Sequence, residues 1–323
     1  LKEDNKDLGF GTKLTNPNTR LVNRDGSFNV NRRGLSFAQR LNPYHKLISM
    51  QWPKFILLLT TAFILINTFF ACLYLLLGIE HLSGIRGKSA LENFFEAFFF
   101  SAQTFTTVGY GGISPVGFGA NLLAAFESMA GWMGFALAAG LLYGRFSRPV
   151  ARILYSDNAL IAPYKDISAF MFRMANQRDN ELIEVEVQVM LSRIEHVEGG
   201  KDIRRFYPLK LEREKINFFS LSWTIVHPID EESPLKGTTP DDFKESDTEF
   251  LVLVKAFDDT FSQTVHTRSS YQYDEVVWGA KFVSMFDEQQ EGAKINLNLH
   301  RISDYTQVVL PEEMIQPVSV EQN

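Results

Sequence analysis

Six consecutive residues, Thr106-Thr107-Val108-Gly109-Tyr110-Gly111, carry the chain's clearest chemical potential, and it lies in their backbone. The two glycines admit backbone angles that L side chains avoid, so a short extended segment can turn successive carbonyls to one side. Four copies around an axis would stack those oxygens into rings able to replace the hydration shell of a K⁺ ion. As an isolated string, a glycine-flanked aromatic suits an ordinary turn equally well. The choice between the two rests on what surrounds it.

Two apolar stretches flank the segment. Residues 55–78 run 24 positions without a formal charge, and residues 117–144 run 28 with Glu127 as their sole charge. Either can cross about 30 Å of hydrocarbon. An outer helix is therefore expected over 55–78 and an inner helix over 117–146. Between them, residues 91–104 look helical and are dense in phenylalanine (Phe94, Phe95, Phe98, Phe99, Phe100) but are too short to span. That predicts a pore helix that enters the membrane and returns through 106–111. Irregular backbone survives at this depth only where protein buries it or water lines it, so the loop implies an oligomer.

Residues 42–52 lead into the first span. Pro43 suits a first helical turn. Tyr44, Leu47, Ile48 and Trp52 recur at helical spacing, the pattern of a slide helix lying in the interface, with a plain linker helix as the alternative. Arg32, Arg33, Arg40, Lys46 and Lys54 flank the first span, and Arg145, Arg148 and Arg152 follow the second. Only Arg86 and Lys88 lie between the spans, so the positive-inside rule puts both termini in the cytoplasm.

Charge is unevenly spread: eight Lys/Arg against four Asp/Glu in residues 1–40, four of each in 41–144, and 20 against 30 in 145–323. The acidic C-terminal part disfavours nucleic acid as a partner and favours cations. The single cysteine, Cys72, excludes an intrachain disulfide. Six histidines show no close pair with metal-ligand spacing, and His227, ahead of Pro228, reads as structural. There is no phosphate-binding loop, dinucleotide fingerprint or nucleophile–base motif. An enzyme is not expected, nor a cofactor other than the permeant ion, and no Arg-rich voltage-sensor helix is present. From about residue 158 the pattern turns to short strands. Residues 184–189 alternate, 250–254 form an apolar run suited to a fully buried strand, and turn signals fall at 198–200, 227–228, 233–234, 236–237 and 258–259. An antiparallel β-sandwich of about 150 residues follows. The expected domains are a tail over 1–41, with a short strand and Asp-Gly turn over 20–26, a slide helix over 42–52, a pore domain over 53–149 and a sandwich over 150–323.

The chain resembles the inward-rectifier potassium channel family, especially its bacterial members. The TVGYG string is the recognised signature of potassium-channel filters, so the match is one of strings and not a derivation. RLVNRDGSFNV over 20–30 resembles the family's N-terminal strand, and GRFSRP over 144–149 the end of its inner helix. FRMANQR over 172–178, SWTIVHPIDEESPL over 222–235 and RSSYQYDEVVWG over 268–279 resemble its cytoplasmic domain. The resemblance implies a membrane α fold of two transmembrane helices plus a re-entrant pore helix, with a C-terminal cytoplasmic all-β immunoglobulin-like sandwich, assembled as a homotetramer in a bacterial inner membrane. Its function would be passive K⁺ conduction, gated at the inner-helix bundle crossing by cytoplasmic-domain movement and membrane lipid. The alternative is a membrane-anchored ligand- or lipid-sensing module whose pore rarely conducts. Many relatives carry a Glu where this chain has Gln103 and an Arg where it has Gly112-Ile113, so their ion pair behind the filter is absent.

Residue roles follow from the same resemblance. K⁺ would be held by the carbonyls of Thr107, Val108, Gly109 and Tyr110, with the Thr107 hydroxyl at the inner mouth and Gly111 completing the filter. Gln103, Thr106 and Glu127 would support it. Tyr143 would form the gate, unless it is an interface anchor, and Gly131 and Gly134 a hinge, unless they serve packing. Phe135 stands where strong rectifiers have a cavity acid, while Glu184 and Asp259 would be the cytoplasmic pore acids, through which polyamine or Mg²⁺ block would persist, unless they are solvated strand-face carboxylates. Anionic lipid, phosphoinositide included, would meet Lys46, Arg145, Arg148 and Arg152.

Overall fold

The computed structural model describes residues 19–31, 34, 43–147, 152–178, 181–197, 201–287 and 296–311. The chain divides into two compact units, Arg33–Arg148 and a second made of Leu1–Arg32 with Pro149–Asn323. Arg148 and the turn at 198–200 lie outside the described residues.

The first unit holds α1 (Pro43–Ser49), α2 (Trp52–Leu77), α3 (Ala90–Phe105) and α4 (Gly117–Phe146), with two-residue strands β1 (Leu82–Ser83) and β2 (Ser114–Pro115). Both α2 and α4 are long and apolar enough to cross a membrane. They expose Ile56, Leu65, Phe69 and Leu76, and Phe126, Trp132 and Leu137, as helices solvated by lipid or by other copies do. The single helix expected over 42–52 is in fact broken before Trp52. Pro53 sits in the first turn of α2, where its missing N–H costs nothing, so Trp52 belongs to the outer helix. Ser89 caps α3, its side chain accepting from the Glu92 N–H at 3.3 Å.

The second unit is the sandwich. Its elements are β3 (Ile153–Tyr155), β4 (Ala159–Tyr164), β5 (Ile167–Asn176), β6 (Leu182–Val197), β7 (Lys201–Leu209), β8 (Lys215–Phe219), β9 (Ser222–Pro228), the short α5 (Pro240–Glu245), β10 (Glu249–Asp258), β11 (Gln263–Gln272), β12 (Val276–Trp278), β13 (Ala280–Phe282) and β14 (Tyr305–Gln307). One sheet runs β11-β10-β6-β7 with β8 also on β6, and the other runs β12-β4-β5-β3 with β9 on β5. Phe170 from one sheet stacks on Phe250 from the other, ring centroids 4.0 Å apart, and both are buried. Two details differ from the sequence reading. β12 pairs parallel to β4, so the sandwich is not wholly antiparallel. Within 250–254, Leu253 is exposed, so β10 has two faces there. His227 is structural as expected: buried, its Nδ1 donating to the Lys210 carbonyl at 2.7 Å and its Nε2 2.8 Å from the Ser233 hydroxyl. Burial lowers its pKa and keeps the ring neutral.

The N-terminal segment is part of this unit. Val22 bridges Phe28 across the turn at Gly26, whose φ is +80°. Leu21 and Val22 are buried with Phe206 and Leu251. Their N–H groups donate to the buried Glu249 carboxylate at 2.9 and 3.3 Å, and Arg20 makes a two-pronged pair with Glu275 at 2.9 and 3.0 Å. A strand that ends on a side chain depends on that side chain. Orphaning a buried N–H costs about 1–3 kcal/mol. Glu249→Ala should therefore release the segment, read as faster amide exchange at Leu21 and Val22 while the β6–β10 amides stay protected.

Candidate functional site

The pore loop starts from the C-terminal end of α3, where four helical carbonyls lack intrahelical partners. The loop itself satisfies several of them. The Thr106 N–H donates to the Ala102 carbonyl at 3.1 Å and the Thr107 N–H to that of Thr104 at 3.0 Å. The Gln103 carbonyl takes two, from Val108 at 2.9 Å and Gly109 at 3.3 Å. The Thr106 hydroxyl donates to the Ala102 carbonyl at 2.7 Å. Gln103 thus meets the loop through its backbone carbonyl, and Thr106 through its N–H and hydroxyl.

Past this point φ alternates in sign. Thr107 (+60°), Gly109 (+51°) and Gly111 (+80°) are left-handed, whereas Val108 and Tyr110 are not. Such alternation turns consecutive carbonyls the same way. Left-handed angles cost an L residue roughly 1–2 kcal/mol, which glycine escapes at two of the three positions; Thr107 bears the strain, as residues at functional sites often do. The helix macrodipole places partial negative charge at the end of α3, which suits a cation beyond it. In the single chain Val108 and Tyr110 are exposed, the latter at 83%. The loop's return is stapled to the α2–α3 connection: β1 pairs with β2, and the Val116 N–H donates to the His81 carbonyl at 2.8 Å.

The inner helix presses one face on the pore helix. Glu127, Gly131 and Gly134 recur at helical spacing along it. A Cβ on Gly131 would overlap the Phe105 carbonyl, and one on Gly134 would sit 3.3 Å from the Phe105 ring. α4 runs as one helix through both glycines, and each sits in close contact with Phe105. Glu127 is fully buried and holds two hydroxyls, Tyr74 from α2 at 2.6 Å and Ser101 from α3. Ser101 Oγ lies 3.0 Å from Asn67 Oδ1. Tyr74, Ser101 and Asn67 escaped the sequence reading. The available signal was a lone Asn and Tyr inside an otherwise apolar span that faces an acid in the next.

At the other end of α4, Tyr143 and Phe135 are both exposed in the single chain, at 75% and 73%. Arg145 turns inward. Its guanidinium donates to the carbonyls of Leu47 at 2.6 Å, Ile48 at 3.0 Å and Met50 at 2.6 Å, which are the orphan carbonyls closing α1. It also lies 4.5 Å from the Trp52 ring centroid and 4.4 Å from that of Phe55. Of the four cations expected at lipid, Arg145 is thus engaged within the protein, Lys46 and Arg152 are exposed, and Arg148 lies outside the described residues. Glu184 and Asp259 are exposed near one end of the β6–β10 pair, with Glu184 3.5 Å from Lys215. Among the described residues, no group of three or more His, Cys, Asp or Glu could hold a metal ion.

Comparison with known proteins agrees with this geometry. Residues 153–323 match the inward rectifier potassium channel C-terminal domain, and residues 55–147 match the ion channel family model. The chain is 41% identical to the inward rectifier potassium channel Kirbac3.1 of Paramagnetospirillum magnetotacticum, across 85% of this chain and 92% of that one. It is 26% identical to the ATP-sensitive inward rectifier potassium channel 12 of mouse and of human, across 86% of this chain and 70% and 69% of theirs.

The two contact glycines set up a comparison with Gly140, whose Cβ would meet nothing within 4 Å. Gly131→Ala should abolish ion-selective rubidium uptake into liposomes, because α4 can no longer seat against α3. Gly140→Ala should leave uptake near wild type.

Proposed function

Because the chain belongs to the inward-rectifier potassium channel family, on its bacterial branch, we propose that it forms a homotetrameric, K⁺-selective pore of the cell membrane with both termini cytoplasmic. The observation that carries this is the alternation of φ over residues 107–111 at the end of α3. It supports K⁺ ligation by the carbonyls of Thr107, Val108, Gly109 and Tyr110, at several sites of moderate affinity, so that an entering ion displaces the next. The tetramer, the assembly typical of the family, supplies the enclosure that exposed carbonyls need at membrane depth.

Gating follows from two ties on α4. Its upper half is seated on the pore helix, and its lower end is clamped by Arg145 to α1. Charge-assisted hydrogen bonds are worth about 1.5–3 kcal/mol each, so a movement of α1 at the membrane surface is passed to Tyr143, two residues before the clamp. Four Tyr143 rings would narrow the pore and close it by dewetting. Anionic lipid headgroups meet Lys46 and Arg152 in this reading, with Arg145 as the transmitter between surface helix and gate. Phe135 in place of a cavity acid makes polyamine or Mg²⁺ block weak, leaving Glu184 and Asp259 to concentrate cations in the cytoplasmic vestibule.

The test of selectivity is Gly109→Ala. A Cβ at φ +51° strains the filter in all four subunits, and K⁺/Na⁺ discrimination should be lost; unchanged discrimination would overturn the filter assignment. Wild-type liposomes must first show Ba²⁺-blockable rubidium uptake, and its absence in every lipid mixture would favour a sensing module over a channel. For the gate, Tyr143→Ala should raise open probability in planar bilayers. Arg145→Gln should flatten the response to anionic lipid by at least about fivefold, the lower range of allosteric couplings.

A further inference from the structure

A carboxyl group at membrane depth is expensive unless it is paired, and among the described residues Glu127 has no salt-bridge partner. Among the described residues its partners are the Tyr74 and Ser101 hydroxyls. The hydrogens in this cluster can be counted. Asn67 Nδ2 donates to the Phe63 carbonyl at 2.7 Å. That bond fixes the amide, since the flipped orientation would set Oδ1 against the carbonyl oxygen. Asn67 Oδ1 therefore faces Ser101 Oγ, 3.0 Å away, as a pure acceptor. A serine has a single hydroxyl hydrogen. That one hydrogen faces two acceptors, Asn67 Oδ1 and Glu127 Oε1, and a hydrogen carried on Glu127 would give each contact its own. Tyr74 then donates to Oε2 at 2.6 Å. Tyr74, Asn67, Ser101 and Glu127 are all within 1% of full burial.

We propose that Tyr74, Ser101 and Asn67 are positioning residues of the selectivity filter, acting through a Glu127 held as a neutral carboxylic acid. The chain of bonds runs from α2 through α3 to α4. It pins Ser101, two residues before Gln103, whose carbonyl receives the Val108 and Gly109 N–H groups. A neutral acid offers both a donor and an acceptor, which a carboxylate cannot. It also leaves no net charge in the bilayer and no fixed negative charge behind the filter to hold a permeating cation. The inference rests on reading residues 106–111 as the filter.

The experiment is reconstitution of the full chain in liposomes, scored by Ba²⁺-blockable rubidium uptake and by K⁺/Na⁺ discrimination. A wild type without selective flux would fail the filter reading itself, so the variants are judged only against a conducting wild type. Tyr74→Phe keeps the ring against Phe100, centroids 5.0 Å apart, and removes one hydrogen bond. That variant should lower discrimination roughly tenfold, for about one net hydrogen bond lost per subunit, and Ser101→Ala, which removes two, at least as much. Wild-type discrimination in both would overturn the positioning role. Glu127→Ala should lose discrimination, and Glu127→Gln, which also offers one donor and one acceptor to this pair, should restore it. A Gln variant as defective as the Ala variant would mean that the ionised form is needed. Should the variants fail to assemble, the infrared spectrum of the assembled wild type decides the matter. It should contain the carbonyl stretch of a protonated, buried carboxylic acid that resists deuterium exchange, and absence of that band would overturn the proposal.

Discussion

Unpaired backbone carbonyls within a membrane are the constraint on which the rest of this structure depends. A filter works because its oxygens bond to no part of the protein, yet the hydrocarbon around it punishes every such group. The chain resolves the conflict by dividing the backbone of 106–111 between its two faces. The N–H groups at the start of the loop turn back to the carbonyls closing α3, with Gln103 serving both Val108 and Gly109. In the proposed filter the carbonyls would be left for the ion. Glycine at 109 and 111 makes this geometry accessible, and the left-handed Thr107 is the one residue that stores strain for it.

A segment so arranged must be held from outside, since its own carbonyls contribute no cohesion. That accounts for the polar cluster in the middle of an apolar unit. Asn67, Tyr74, Ser101 and Glu127 would each be a liability alone in lipid. Joined, they fix three helices in register more narrowly than apolar packing of similar volume, because hydrogen bonds are directional. The same logic separates the glycines of α4. Gly131 is a point of contact, where any side chain would displace the Phe105 carbonyl, while Gly140 touches nothing.

The sequence made the membrane elements legible because they depend on local properties. Charge-free length marked α2, a phenylalanine-rich run too short to span marked α3, and the bounds of α4 coincide with the expected 117–146. The break before Trp52 was open to reading from Pro53, but the periodicity of Tyr44, Leu47, Ile48 and Trp52 masked it. The sandwich was legible as a class from its alternating strands, but not its parallel β4–β12 pair, since pairing partners leave no mark within a strand. The support cluster was hidden for a related reason: its members lie 26, 34 and 53 residues apart, and only the tertiary fold brings them together. The partners of Arg145 were not legible either. Counting cations by membrane side is a statistical rule about where charge lies, and it carries no information about which carbonyl a guanidinium will find.

Arg145 also bears on how one helix can serve two purposes with opposite demands. Selectivity needs the filter still, whereas gating needs the base of α4 to move. The polar cluster and the Phe105 contacts immobilise the helix from Glu127 to Gly134, about two turns. The clamp ties the last turn to α1. Between these anchors lie Gly140 and a run of alanine and leucine whose side chains carry no hydrogen bonds across to other helices. On the proposed gating, displacement applied through α1 would enter α4 below the supported segment and be absorbed before it reaches Gln103. In the proposed channel, separate anchoring of the two ends would let the gate open while the carbonyls of the filter keep their spacing.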